Sequence, residues 1–296
     1  MEKYLEACIK SATAGGNTIL SYVPKRTRIK DDKNVDRHHS IVTHADYRAQ
    51  KAILGVLNGY DPEAFLIMEE STNKHELQNR LIKNYNLGKI ESSRFYDIDE
   101  LDGSSSLAIG HYEWAVSIGY VENMIHKAGA VFAPKVLGGT LFYASKGNGA
   151  FIRMNKKDRQ IEVSDRRMED AYILMGVDCF LTSYPMHNKL ITLVADKART
   201  TNSNGSCALA LGLVASGKAD ALIQPLQYSW DWAGGKPIIE EAGGSIIFYE
   251  MENEKIKPIE KLETRHYSPV ERTVGFVAGN EKISNNIMEL MLGIRF

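Results

Sequence analysis

The residues of this chain whose placement could do chemistry are its carboxylates. Glu69 and Glu70 follow the apolar run Phe65-Leu66-Ile67-Met68, and Asp99, Glu100 and Asp102 follow Phe95-Tyr96-Asp97-Ile98. Both runs read as short buried strands, so the acids stand at strand ends, where a rigid scaffold holds side chains. Carboxylates gathered in one place repel each other and, unless protonated, require a cation. Oxygen-only ligands favour hard divalent ions, and Mg2+ in particular is held by a few carboxylates, waters and phosphate oxygens. Gly103-Ser104-Ser105 then offers what a phosphate needs beside such a metal: a flexible Gly, free backbone N–H groups at a helix start, and hydroxyls. Ser104 could also orient a nucleophilic water. Singly, each piece has a bland reading, a solvated acidic face or a simple turn.

The elements that must position these acids are a mixture. Leu5, Ile9, Ala12, Ile19, Leu20 and Val23 predict an amphipathic first helix, weakened by Gly15-Gly16, and Ala45 to Leu57 predicts a second with Asp46 near its first turn. Between them Lys25 to His39 is densely charged and without apolar period, which reads as a solvated loop or, in the sharper reading, a lid bringing a cation to an anionic substrate. Ala115 to Val121, Ala128 to Ala133 and Leu141 to Ala144 suit an antiparallel meander. Asn155 to Arg167 reads as a junction, which divides the chain into an N-terminal lobe, 1–155, carrying most of the acids, and a C-terminal lobe, 156–296. The second lobe has strands expected at Tyr172–Val177, Ala219–Ile223, Ser245–Tyr249 and Val274–Ala278. Its helices are expected at Ser206–Ser216, Trp232–Ala242 and Ile283–Leu292. Without regular strand-helix alternation, the class is α+β, in layers of sheet and helix.

With 36 Lys and Arg against 37 Asp and Glu, the net charge of −1 argues against a basic groove for a nucleic-acid polymer. The longest uncharged stretch, Thr200 to Gly217, is too short and too polar to span a bilayer, and the amino terminus lacks the pattern of a signal peptide, so a cytoplasmic protein is expected. Cys8, Cys179 and Cys207 are odd in number and widely spaced, hence expected as free thiols.

Taken together, the motifs resemble the inositol monophosphatase family, Mg2+-dependent, lithium-sensitive phosphomonoesterases related to fructose-1,6-bisphosphatase. The resemblance rests on Asp46, Glu69-Glu70, Asp99-Glu100-Leu101-Asp102-Gly103-Ser104 and Trp230-Asp231, followed after eleven residues by Gly243-Gly244, and it covers nearly the whole chain. It implies an αβαβα sandwich, a homodimer, and two or three Mg2+ ions with Li+ as inhibitor. The implied metal ligands are Glu69, Asp99, the Leu101 carbonyl, Asp102 and Asp231. Asp46 and Ser104 would position the attacking water, with Asp46 and Glu70 at outer or third-metal positions. Gly103, Ser104, Gly205-Ser206-Cys207, Gln224 and Asp231 would meet the substrate. The implied reaction is in-line attack of a metal-activated water on an inositol phosphate or related sugar or polyol phosphate, without a Ser or Cys nucleophile.

Three departures from the family pattern stand out. Glu100 replaces a Pro, adding negative charge beside the metals. Gln224 replaces the Glu that meets ring hydroxyls, which weakens the case for myo-inositol phosphate itself. Ser105-Ser106-Leu107 departs from the nucleotidase branch. The span from Glu69 to Asp99 is also long, and its insert, Lys74 to Ser93, is expected to form an extra surface helix or loop. Fructose-1,6-bisphosphatase or 3′(2′),5′-bisphosphate nucleotidase activity are alternatives on the same scaffold. A non-catalytic metal- or phosphate-binding regulatory protein is the alternative of another class.

Overall fold

The computed structural model describes residues 1–22, 44–70, 79–177, 185–252 and 255–294. The charged segment Lys25 to His39, residues 74–78 of the insert and Cys179 lie outside the described residues. Two helices, α1 (Glu2–Tyr22) and α2 (His44–Tyr60), lie on one face of a seven-stranded sheet. Its strands are β1 (Phe65–Met68), β2 (Arg94–Asp102), β3 (Ala115–Glu122), β4 (Ile125–Ala133), β5 (Thr140–Ser145), β6 (Ala150–Met154) and β7 (Lys157–Ile161), in sequence order across the sheet. Only β1 and β2 run parallel; the rest form the expected meander.

The second sheet has the order β12-β11-β13-β10-β8-β9, from β8 (Tyr172–Met175), β9 (Thr200–Asn202), β10 (Ala221–Gln227), β11 (Ser245–Glu252), β12 (Lys255–Pro258) and β13 (Val274–Gly279). Between the sheets lie α3 (Ser104–Ala108) at the end of β2, α5 (Cys207–Ala215), α6 (Ser229–Ala233) and α7 (Lys236–Glu241); α4 (Pro185–Lys197) and α8 (Glu281–Leu292) cover the outer face of the second sheet. Three apolar cores correspond to these layers. One lies between α1, α2 and the first sheet, the largest lies between the sheets, and a third lies under α4 and α8. The layers are α, β, α, β, α, as expected.

Local sequence explains where the elements deviate from expectation. Lys157–Ile161, expected within a junction, is instead the edge strand β7, and 155/156 falls in the tight turn joining it to β6. Four of its five residues are exposed, so it lacks the apolar alternation that marks a half-buried strand. The helix expected through Trp232–Ala242 is two helices broken at Gly234-Gly235. Gly234 packs so closely on Ser117 and the backbone of Ile118 that a Cβ there would collide, and this lets α6 lie directly on β3. In the insert, residues 79–93 include a short 3-10 helix (Asn84–Ile90) with Ile90 buried, and Leu81 and Ile82 are buried ahead of it, so this part is anchored to the core. Cys8 and Cys207 are free thiols, both buried.

Candidate active site

Sheet register carries the acids to one place. Phe65 to Met68 pair in parallel with Phe95 to Ile98, so Glu69 and Asp99 leave adjacent strands side by side, and the Glu69 N–H donates to the Ile98 carbonyl at 3.3 Å. Between Asp99 and Asp102 the ladder to β3 slips, a bulge that lets the strand end turn into the cleft. The slip leaves the Leu101 carbonyl to accept the Ser104 hydroxyl at 2.9 Å, while the Leu101 N–H donates to Asp99 Oδ1 at 2.9 Å. Gly103, at φ +91°, sits in the left-handed region with the Glu113 carbonyl and the Trp114 Cα against it; a side chain there would be strained and blocked, so glycine is required where β2 hands over to α3.

Asp102, Asp231 and Asp99 each present an oxygen within 4.8 Å of the others. Each is held from behind. Asp102 Oδ2 accepts the Ser206 hydroxyl at 2.6 Å and the Ala208 N–H at 2.5 Å, so the N-terminus of α5, with its positive dipole end, docks on it from the second half of the chain. Ser206 also caps α5 by accepting the Leu209 N–H at 3.3 Å. Asp231 accepts the Tyr228 N–H at 3.0 Å in the first turn of α6. Trp230, beside it, is buried and stacks on the Tyr228 ring at 4.4 Å, and its carbonyl accepts from Ser117.

The triad faces a cavity of about 200 Å3, also lined by Glu69, Leu101, Gly103, Ser104, Gly205, Ser206, Cys207 and Gln224. Asp46 and Glu70 lie behind this lining. Asp46, buried in the first turn of α2, accepts the Ser104 hydroxyl at 3.3 Å. Among the expected substrate contacts, Ser206 spends its hydroxyl on Asp102 and the cap, and Gln224 stands on β10 just before a bulge at Pro225-Leu226. Its carboxamide fills the space a side chain at Gly176 would need, which makes Gly176 part of the same wall.

Three site residues escaped sequence reasoning. Gln50, one helical turn after Asp46, donates through Nε2 to the Glu70 carbonyl at 2.7 Å and to Glu100 Oε1 at 3.0 Å. Glu100, fully buried, is therefore tied to α2. Asp97, also fully buried, points into the core with neither oxygen in a normal hydrogen bond, near Ser229. Arg272, in the loop leading into β13, lines the cavity with its guanidinium 5.5 Å from the Tyr228 ring centroid. None belongs to a local motif: Gln50 was legible only as the i+4 neighbour of Asp46, and Asp97 only as an acid inside an apolar strand.

The electrostatics describe a site short of positive charge. Glu69 opens onto the cleft, yet its carboxyl lies deep among other acids. Burial, then Asp231, Glu100, Asp46 and Glu70, hold it well above the usual carboxylate range. Asp99 is raised likewise by burial, then Glu69, Asp102, Asp231 and Glu100, and its Oδ2 is buried without a partner. Burial pushes Glu70 up to about 7, with Asp46 adding to it, and pushes Glu100 and Asp97 up to about 8. A divalent cation would supply what is missing. The donors are all oxygens, the triad is tight enough to share an ion, and Asp99 Oδ2 is left open, a set that fits Mg2+.

The family model for the inositol monophosphatase family matches residues 1–287. The chain belongs to that family. A Thermotoga maritima relative named fructose-1,6-bisphosphatase/inositol-1-monophosphatase is 29% identical over 224 residues, covering 76% of this chain and 74% of the relative. A Neisseria meningitidis serogroup A protein named putative Nus factor SuhB is 25% identical over 249 residues, covering 83% of this chain and 87% of its own. The crystal structure of the extragenic suppressor protein suhB from Bartonella henselae superposes with a TM-score of 0.75 over 99% of both chains at 24% identity, a likeness of fold alone. In this inositol monophosphatase family member, the departures at Glu100 and Gln224 lie on opposite sides of the acids: Glu100 toward α2, Gln224 on the cavity wall. No helix among the described residues is long and apolar enough to cross a membrane.

Proposed function

We propose that this chain is a Mg2+-dependent phosphatase that hydrolyses the monoester of a sugar or polyol phosphate. The observation that carries the reading is the triad of Asp99, Asp102 and Asp231 with Ser104 beside it, its hydroxyl between the Leu101 carbonyl and Asp46. Asp99, Asp102, Asp231, Glu69 and the Leu101 carbonyl would hold the ions, with Glu70 and Asp46 behind them. Bound Mg2+ supplies a water of lowered pKa and neutralises phosphoryl charge. The chain does the rest. Ser104 and Asp46 hold and accept the proton of the attacking water. The backbone N–H groups opening α3 and the Gly205–Cys207 turn receive phosphoryl oxygens, and Gln224 and Gly176 face the alcohol half. Fixed donors of this kind cost no reorganisation as the reaction proceeds.

The test is phosphate release from a panel of sugar and polyol phosphates, with inositol 1-phosphate, fructose 1,6-bisphosphate and a 3′(2′)-phosphonucleotide as separate arms, with and without Mg2+ and Li+. Mg2+-dependent release inhibited by Li+ is expected. Release that is indifferent to metal, or none from any ester, would sink the reading.

A further inference from the structure

Helix α2 is joined to the strand ends behind the acids by one buried carboxamide. The Nε2 of Gln50 carries two hydrogens, and it meets a different strand with each: the Glu70 carbonyl at 2.7 Å, just past the end of β1, and Glu100 Oε1 at 3.0 Å, within β2. Gln50 and Glu100 are both buried. Neighbouring side chains on a strand point to opposite faces, so Asp99 joins the triad while Glu100 turns to α2. Asp46 stands one turn ahead of Gln50 on the same face of α2, where it accepts the Ser104 hydroxyl. Tyr47 also meets the Glu70 carboxylate from α2, from an exposed position. The rest of the buried face of α2, Ala45, Ala49, Ile53 and Leu57, is apolar. Apolar contact is non-directional and sets how deeply the helix lies, whereas two directed bonds also set its rotation and axial position. Glu100 stands where the family pattern has Pro, whose side chain accepts no hydrogen bond, so the hold of Gln50 on β2 exists because of that departure.

Resting on the phosphatase reading, we propose that Gln50 is a positioning residue for hydrolysis: clamped between Glu70 and Glu100, it sets Asp46, and with it Ser104, against the attacking water. The triad does not depend on this clamp. Asp99, Asp102 and Asp231 are held by the Leu101 N–H, by Ser206 with the Ala208 N–H, and by the Tyr228 N–H, none of which lies on α2. Gln50 therefore governs the step in which the water gives up its proton, and leaves the binding of cation and ester to other groups. A misplacement of about 1 Å in a group that orients a reactant costs about 100-fold in rate.

Three variants test this on the ester of the phosphatase panel that wild type hydrolyses fastest. Gln50→Leu keeps the bulk and removes both donors. It should lower kcat by about 10- to 100-fold while KM, and Mn2+ affinity followed by electron paramagnetic resonance, stay within about 3-fold. Gln50→Glu keeps the shape, loses the donors and sets a carboxylate against Glu100, and should lose kcat to a similar extent. Combining Gln50→Glu with Glu100→Gln moves the carboxamide to the strand and re-forms the bond with donor and acceptor exchanged. This protein should recover about 3-fold or more of the lost kcat, short of wild type because the Glu70 carbonyl keeps no donor from position 50. The comparison of Gln50→Glu with the double variant also serves if the apolar substitution does not fold. Unchanged kcat in the single variants, a fall in Mn2+ affinity as large as the fall in kcat, or no recovery in the double variant would each overturn the clamp while leaving the phosphatase reading in place. Phosphate release by wild type from no ester of the panel would overturn both.

Discussion

The two ends of the cavity are built differently. At the acidic end every member of the triad has an oxygen fixed by a neighbouring group: Asp99 by the Leu101 N–H, Asp102 by Ser206 and the Ala208 N–H, and Asp231 by the Tyr228 N–H. At the opposite end the Gln224 carboxamide oxygen keeps an open acceptor. Chemistry needs atoms held within a fraction of an ångström, and backbone donors at strand and helix ends supply that. Recognition needs hydrogen-bond capacity facing the ligand, left open until the ligand arrives.

Breaking the acidic end should have the largest effect. Asp102→Asn is expected to lower kcat by about 1,000-fold, the several kcal/mol a metal contributes to transition-state charge, with the far-UV circular dichroism unchanged. Ser206→Ala leaves the ligand but removes its support, and should weaken cation affinity by about 10- to 100-fold in a Mn2+ titration followed by electron paramagnetic resonance. An unchanged isotherm would mean that the α5 cap does not orient Asp102. At the open end Gln224→Ala should cost less, about 10-fold in KM for the preferred ester, because a hydrogen bond to an uncharged group is lost.

Thermal stability gives a smaller but directional effect. Glu70, Glu100 and Asp97 titrate higher in the fold, at about 7, 8 and 8, than carboxylates do in the unfolded chain. Between the unfolded and folded values the native state therefore binds more protons, so metal-free stability should fall as pH rises from about 5 to 8.5. Mg2+ at about 100 times its dissociation constant should raise stability by about 2.7 kcal/mol. At one fixed Mg2+ concentration the gain should be greater at pH 8.5 than at pH 6, where protons compete for the same oxygens and raise the dissociation constant; scanning calorimetry at the two pH values checks it. The exposed Arg153–Asp158 pair, far from either end, should matter least, under about 1 kcal/mol on removal.

Much of the acidic end was readable in the sequence because its parts are local. Asp99, Leu101, Asp102, Gly103 and Ser104 are consecutive or nearly so, and the strand before them sets their direction. Apolar strands of the interior and the long helices were legible for the same reason, their side chains following period 2 or 3.6. The edge strands β7 and β12 were not, because both faces meet solvent and nothing alternates. Nor was the break at Gly234-Gly235, which exists because β3 lies against it. Arg272 was hidden because its partner, Tyr228, is distant in the chain and belongs to no motif.

By itself the sequence determined the kind of chemistry. Six acids at strand ends and helix starts, with Gly-Ser-Ser after Asp102, point to a hard cation and suit a phosphate once they are gathered in one place. Tertiary structure alone decided which charges face each other. The Ser206 to Asp102 bond spans 104 residues and the Gln50 to Glu100 bond 50. Such contacts depend on how two sheets and the helices between them close, and no local periodicity encodes that closure.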